Sequence, residues 1–60
     1  MMSLETAIDR ATDMANCSGD GESTDIYAYM NKYKVIRNLP DDQYEAVYDR
    51  IAFRLGFRRR

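Results

Sequence analysis

Sixty residues, 45% hydrophobic and 32% charged, suffice for one small globular domain and exclude a disordered tail. With one cysteine and no histidine, an internal disulfide and an imidazole-built zinc site are excluded as well. The longest apolar runs are a few residues against the roughly 20 of a membrane helix, and Met1-Met2-Ser3-Leu4-Glu5 lacks a leader's basic start, so a cytoplasmic protein without membrane contact is expected.

Ser3 suits an N-cap and Glu5 the first turn of a helix. Leu4, Ala7, Ile8, Ala11, Met14 and Ala15 follow at helical spacing, which predicts a helix over 4–16 with an alanine-rich seam. Asp9, Arg10, Thr12, Asp13 and Asn16 are assigned to its polar face. Residues 16–24, with two glycines, small polar side chains and two acids, read as a solvated loop with nothing to bury. Asp20, Glu22 and Asp25 alternate as in a calcium-binding loop. Counting from Asp20, however, the twelfth position is Asn31 and not the bidentate glutamate that closes such a loop, so no metal is expected.

Ser23 or Thr24 can cap a second helix over 25–37, whose stripe is Ile26, Tyr29, Met30, Tyr33 and Ile36 or Arg37. The segment is rich in β-formers, and Lys32 to Arg37 partly alternates like a strand. A lone strand has nothing to pair with, and helix is preferred. Asn38-Leu39-Pro40 ends it. Tyr44, Val47, Tyr48, Ile51 and Leu55 then form the stripe of a third helix over 41–55, opened by Pro40 with Asp41 and Asp42. Gly56 is its left-handed stop, with Phe57 folding back onto Ile51 or Ala52.

The expected fold is therefore all-α, a small three-helix antiparallel bundle forming a single domain over 1–60 with a basic tail at 58–60. Its expected core is Leu4, Ile8, Ala11, Met14, Ile26, Met30, Tyr33, Val47, Ile51 and Leu55.

Charge is placed unevenly. Residues 1–49 hold all ten acids against four bases, a balance of −6, and residues 50–60 hold five arginines and no acid, a balance of +5. Five tyrosines lie between positions 27 and 48; Tyr29 with Tyr33 and Tyr44 with Tyr48 are i, i+4 pairs. Tyr29, Tyr33, Tyr44 and Tyr48, with Phe53 off the main stripe, are the candidate partner-binding residues, because tyrosine and arginine are enriched at interface hot spots. The ordinary alternative is a roof of tyrosines over a small core with hydroxyls in water. Arg50, Arg54, Arg58, Arg59 and Arg60 are candidates for contact with nucleic acid or an acidic surface. Their ordinary role is to complement a helix C-terminus and keep a tail soluble. No catalytic residue, cofactor site or metal site is expected: histidine, a glycine-rich phosphate loop and a base-paired nucleophile are missing, and Cys17 stands among acids rather than beside an activating base.

The run Leu39-Pro40-Asp41-Asp42-Gln43-Tyr44-Glu45-Ala46-Val47-Tyr48-Asp49-Arg50-Ile51-Ala52-Phe53-Arg54-Leu55, under a third of the chain, resembles the central helix of the Hha-type nucleoid-associated modulators. That family shares the leading leucine, acidic helix start, apolar-aromatic stripe and closing Arg-Leu. Ile51-Ala52-Phe53-Arg54 stands where the family carries alanine-aspartate-histidine-arginine. A tiny helical chain, acidic with a basic tail, is also similar to accessory proteins of phage early regions. Both resemblances imply a helical protein that works by binding another protein. The expected function is a non-enzymatic, regulatory or accessory interaction module with a protein partner. Self-association is a further possibility, and a small DNA- or RNA-binding protein is the alternative.

Overall fold

The structure, a computed structural model, describes residues 2–57 apart from the side chain of Glu22; the arginine tail at 58–60 lies outside them. The chain is all-helical: α1 (Leu4–Asn16), a 3-10 turn (Gly21–Ser23), α2 (Ile26–Met30), α3 (Lys34–Arg37) and α4 (Asp41–Arg54), with no strand among the described residues. The four helices pack around one cluster built from Ala7, Ile8, Ala11, Ile26, Met30, Ile36, Val47, Ile51 and Ala52.

Local chemistry sets the ends of the long helices. The Ser3 hydroxyl accepts from Thr6 N–H at 3.2 Å, filling one of the donors a helix start leaves open. Pro40 is the N-cap of α4, with Asp41 and Asp42 in the first turn. It ends in a Schellman motif: Gly56 takes φ +86°, Phe57 N–H donates to Ala52 carbonyl at 2.8 Å, and Gly56 N–H donates to Phe53 carbonyl at 3.0 Å. Phe57 packs against the core, as its expected fold-back requires.

The middle departs from expectation. Residues 25–37 form two short helices instead of one, because Tyr33 is extended (φ −114°, ψ 117°) and opens α3. In a straight helix Ile36 would point about 120° away from Met30, at about 100° per residue. The break turns Ile36 inward, and Ile26, Met30 and Ile36 are all fully or almost fully buried. The Asp25 carboxylate, rather than Ser23 or Thr24, caps α2 by accepting from Ala28 N–H at 3.2 Å. α4 stops at Arg54, one residue short of the expected end.

Further residues lie elsewhere than expected. Thr12 is buried, not on the polar face, because its hydroxyl donates to Ile8 carbonyl at 2.7 Å and leaves only its methyl to pack. Thr24 is buried within the loop, donating to Gly21 carbonyl at 2.7 Å and lying 3.2 Å from the Ser18 hydroxyl, so the loop folds on its own polar groups. Met14 is half-buried at the margin of the core and accepts a hydrogen bond from the Tyr33 hydroxyl at 3.2 Å. Leu4, Tyr33 and Leu55 are half-buried against the core rather than inside it. Ala7, Ala15, Ile36 and Ala52 are the buried apolar residues missing from the expected list.

Candidate interaction surface

α4 is the element on which the candidate residues meet. Its apolar stripe turns Val47, Ile51 and Ala52 inward, and Tyr44 and Tyr48 stand at the edge facing α2. Tyr27 of α2 stacks on both of them, with ring centroids 4.4 Å from Tyr48 and 5.9 Å from Tyr44. Such offset stacks add to the area each ring buries. The Tyr27 hydroxyl reaches both carboxylate oxygens of Glu45, at 3.1 and 3.2 Å, and the Tyr44 hydroxyl donates to Asn31 Oδ1 at 2.6 Å. These tyrosines join α2 to α4.

The candidate partner-binding residues therefore separate. Tyr44 and Tyr48 come together around Tyr27, and Tyr33 reaches across to Met14 on α1. Tyr29 is half-buried against the core. Phe53 is different: it is 83% exposed, on the α4 face opposite Ile51. Among the described residues the only other large hydrophobic side chain classed as exposed is Met2, at 36%.

Of the candidate arginines, two bridge α4 to α1. Arg50 holds Glu5 through two parallel hydrogen bonds of 2.9 Å each, and Arg54 holds Asp9 at 2.6 Å. Glu5 and Asp9 are four residues apart, as are Arg50 and Arg54, so the two helices advance in the same direction along this seam. The hydrogen bonds from Arg50, and then its charge, lower the Glu5 pKa, with a smaller contribution from Arg54. The same contact with Glu5, with a lesser contribution from Asp9, raises that of Arg50. Arg58, Arg59 and Arg60 lie outside the described residues. Searches of protein-family models, curated proteins and solved structures found no match to this chain.

Cys17 is exposed and single, and no group of three or more metal-ligating side chains gathers among the described residues. None of the described helices is long and apolar enough to cross a membrane. Sequence reasoning passed over Tyr27, which joins the two tyrosines of α4, and Glu5 and Asp9, which hold the arginines. Acids at i and i+4 on α1 match arginines at i and i+4 on α4, but Asp9 with Asp13 has the same spacing as Glu5 with Asp9, so the spacing alone does not pick the pair.

Proposed function

We propose that this chain is a small non-enzymatic protein–protein interaction module, regulatory or accessory in role and of phage or bacterial type, acting in the cytoplasm by binding a protein partner. In this reading α2 and α3 are the broken middle rod of a three-helix antiparallel bundle. Such a rod accounts for the parallel course of α1 and α4 along their ion-paired seam. The observation that carries the reading is Phe53, an aromatic side chain left 83% exposed on a regular helix of a chain whose other six aromatics are half-buried. A large exposed aromatic flanked by arginine is the composition of an interface anchor. Tyr29, Tyr33, Tyr44 and Tyr48 are half-buried against the core, so in this reading Phe53 is the anchor and they have a lesser share in the contact.

The nucleic-acid alternative rests on the +5 balance of residues 50–60. It is the weaker reading because Arg50 and Arg54 already hold carboxylates of α1. Affinity capture from lysate, with and without nuclease, separates the two. A protein retained after nuclease and moderate salt, and lost with Phe53→Asp, supports the module. Retained material that disappears with nuclease supports the alternative.

A further inference from the structure

Residues 26–40 carry three bases, Lys32, Lys34 and Arg37, and no acid, in a chain with ten acids against nine bases. All three are exposed. Arg50 and Arg54 each hold a carboxylate of α1, whereas no carboxylate of the described residues pairs with Lys32, Lys34 or Arg37. One such cation is ordinary on a protein surface. Three within six residues, in a chain this rich in acid, make a positive patch of their own.

The fold gathers them at the break between α2 and α3. Across that break Arg37 Nη1 donates to the Asn31 carbonyl at 3.4 Å, which seats the guanidinium beside the peptide leading into Lys32. Lys34 and Arg37 are three residues apart on α3 and share a face. The Tyr44 hydroxyl donates to Asn31 Oδ1 at 2.6 Å, so the Asn31 amide offers its N–H groups. The side-chain groups that Asn31, Lys32, Lys34 and Arg37 leave for a partner are therefore all hydrogen-bond donors, and those of Lys32, Lys34 and Arg37 carry positive charge. Donors of this kind match carboxylates, and a guanidinium can take one through two parallel bonds.

We propose that the α2–α3 junction is a docking surface for an acidic segment of a protein partner, whose aspartate and glutamate side chains are received by Lys32, Lys34, Arg37 and the Asn31 amide. This rests on the interaction-module reading and gives it a second contact, apart from Phe53. Tyr44, which fixes Asn31, precedes Phe53 on α4 by about 14 Å at 1.5 Å per residue. A nucleic-acid backbone fits less well. It needs positive charge along a whole face, whereas exposed acids bound this patch in the sequence, Asp25 ahead of α2 and Asp41 and Asp42 at the start of α4. A short acidic segment needs only the few cations gathered here.

Two-dimensional amide NMR of the full chain, titrated with a decaglutamate peptide, tests this. The signals of residues 31–38 should shift, the Asn31 side-chain amide and Arg37 Nε among them, and added salt should reverse the shifts. Arg37→Gln should weaken binding about twofold to fivefold, the range of one exposed ion pair. Lys32→Glu combined with Lys34→Glu should abolish the shifts while circular dichroism stays that of the wild type. Shifts confined to 54–60 assign the peptide to the arginine tail and overturn the proposal, as do shifts at 31–38 that survive the double reversal. A decathymidylate bound at 31–38 more tightly than the peptide overturns the choice of partner. If the peptide moves nothing at 31–38 yet a lysate protein is captured and lost with Phe53→Asp, the acidic-segment contact fails while the module reading stands. If capture fails as well, both fall.

Discussion

Ile51 and Phe53 stand two residues apart on α4 and meet opposite surroundings: the first is 0% exposed and the second 83%. At about 100° per residue they point some 200° apart, one into the cluster shared by all four helices and one away from it. The inward face is held by packing against α1 and α2. On the outward face the Phe53 ring is left to solvent, so it contributes to what the molecule meets rather than to how it folds. Substitutions on the two faces should therefore separate stability from association.

The largest effect belongs to the inward face. Ile51→Ala should cost about 2–4 kcal/mol, enough to unfold much of a domain of this size, whose core rarely supplies more than about 3–5 kcal/mol. Urea titration followed by circular dichroism measures it; a loss below about 0.5 kcal/mol, a surface-like value, would erase the distinction between the faces. Next comes the edge facing α2. Tyr27→Leu removes both ring stacks and the contact with Glu45, and should cost about 1–2 kcal/mol. Tyr27→Phe, which keeps the rings stacked, should recover most of that loss in the same titration.

At the helix end, Gly56→Ala should cost about 1 kcal/mol through its left-handed backbone alone, since a methyl group there meets nothing within 4 Å. A thermal melt detects it as a lowered Tm without loss of helix at 20–40 in chemical shifts. Glu5→Gln gives a smaller effect with a pH signature. Arg50 lowers the Glu5 pKa in the folded chain, so the ionised carboxylate favours folding. That contribution is whole above the ordinary glutamate value and is lost as pH falls through the lowered folded value. The wild type should exceed the variant in stability at neutral pH, and the gap should close in acid. A gap that widens below the glutamate range would contradict the pairing. Smallest of all, Phe53→Ala should alter stability by no more than about 0.5 kcal/mol, while capture of a protein partner from lysate weakens.

The sequence by itself determined the long helices and, to within one residue, their ends. Ser3, Glu5, Asp41, Asp42 and Gly56 act through the few residues next to them, and a 3.6-residue period needs no distant partner to be read. It also marked Phe53 as lying off the α4 stripe. The tertiary structure alone decided three things. Residues 26–37 mix strong helix formers (Ala28, Met30, Lys32, Lys34, Arg37) with aromatic and β-branched ones, so local preference does not decide their course; the burial of Ile36 does, and they break at Tyr33. Thr12 has a polar side chain, yet a bond to its own helix lets it enter the interior. The partners of Arg50 and Arg54 lie 45 residues away in the chain, and only the packing of α1 beside α4 selects Glu5 and Asp9 from ten acids of equal charge. Local signals follow from neighbours along the chain, whereas burial and ion pairing depend on which surfaces the folded chain brings together.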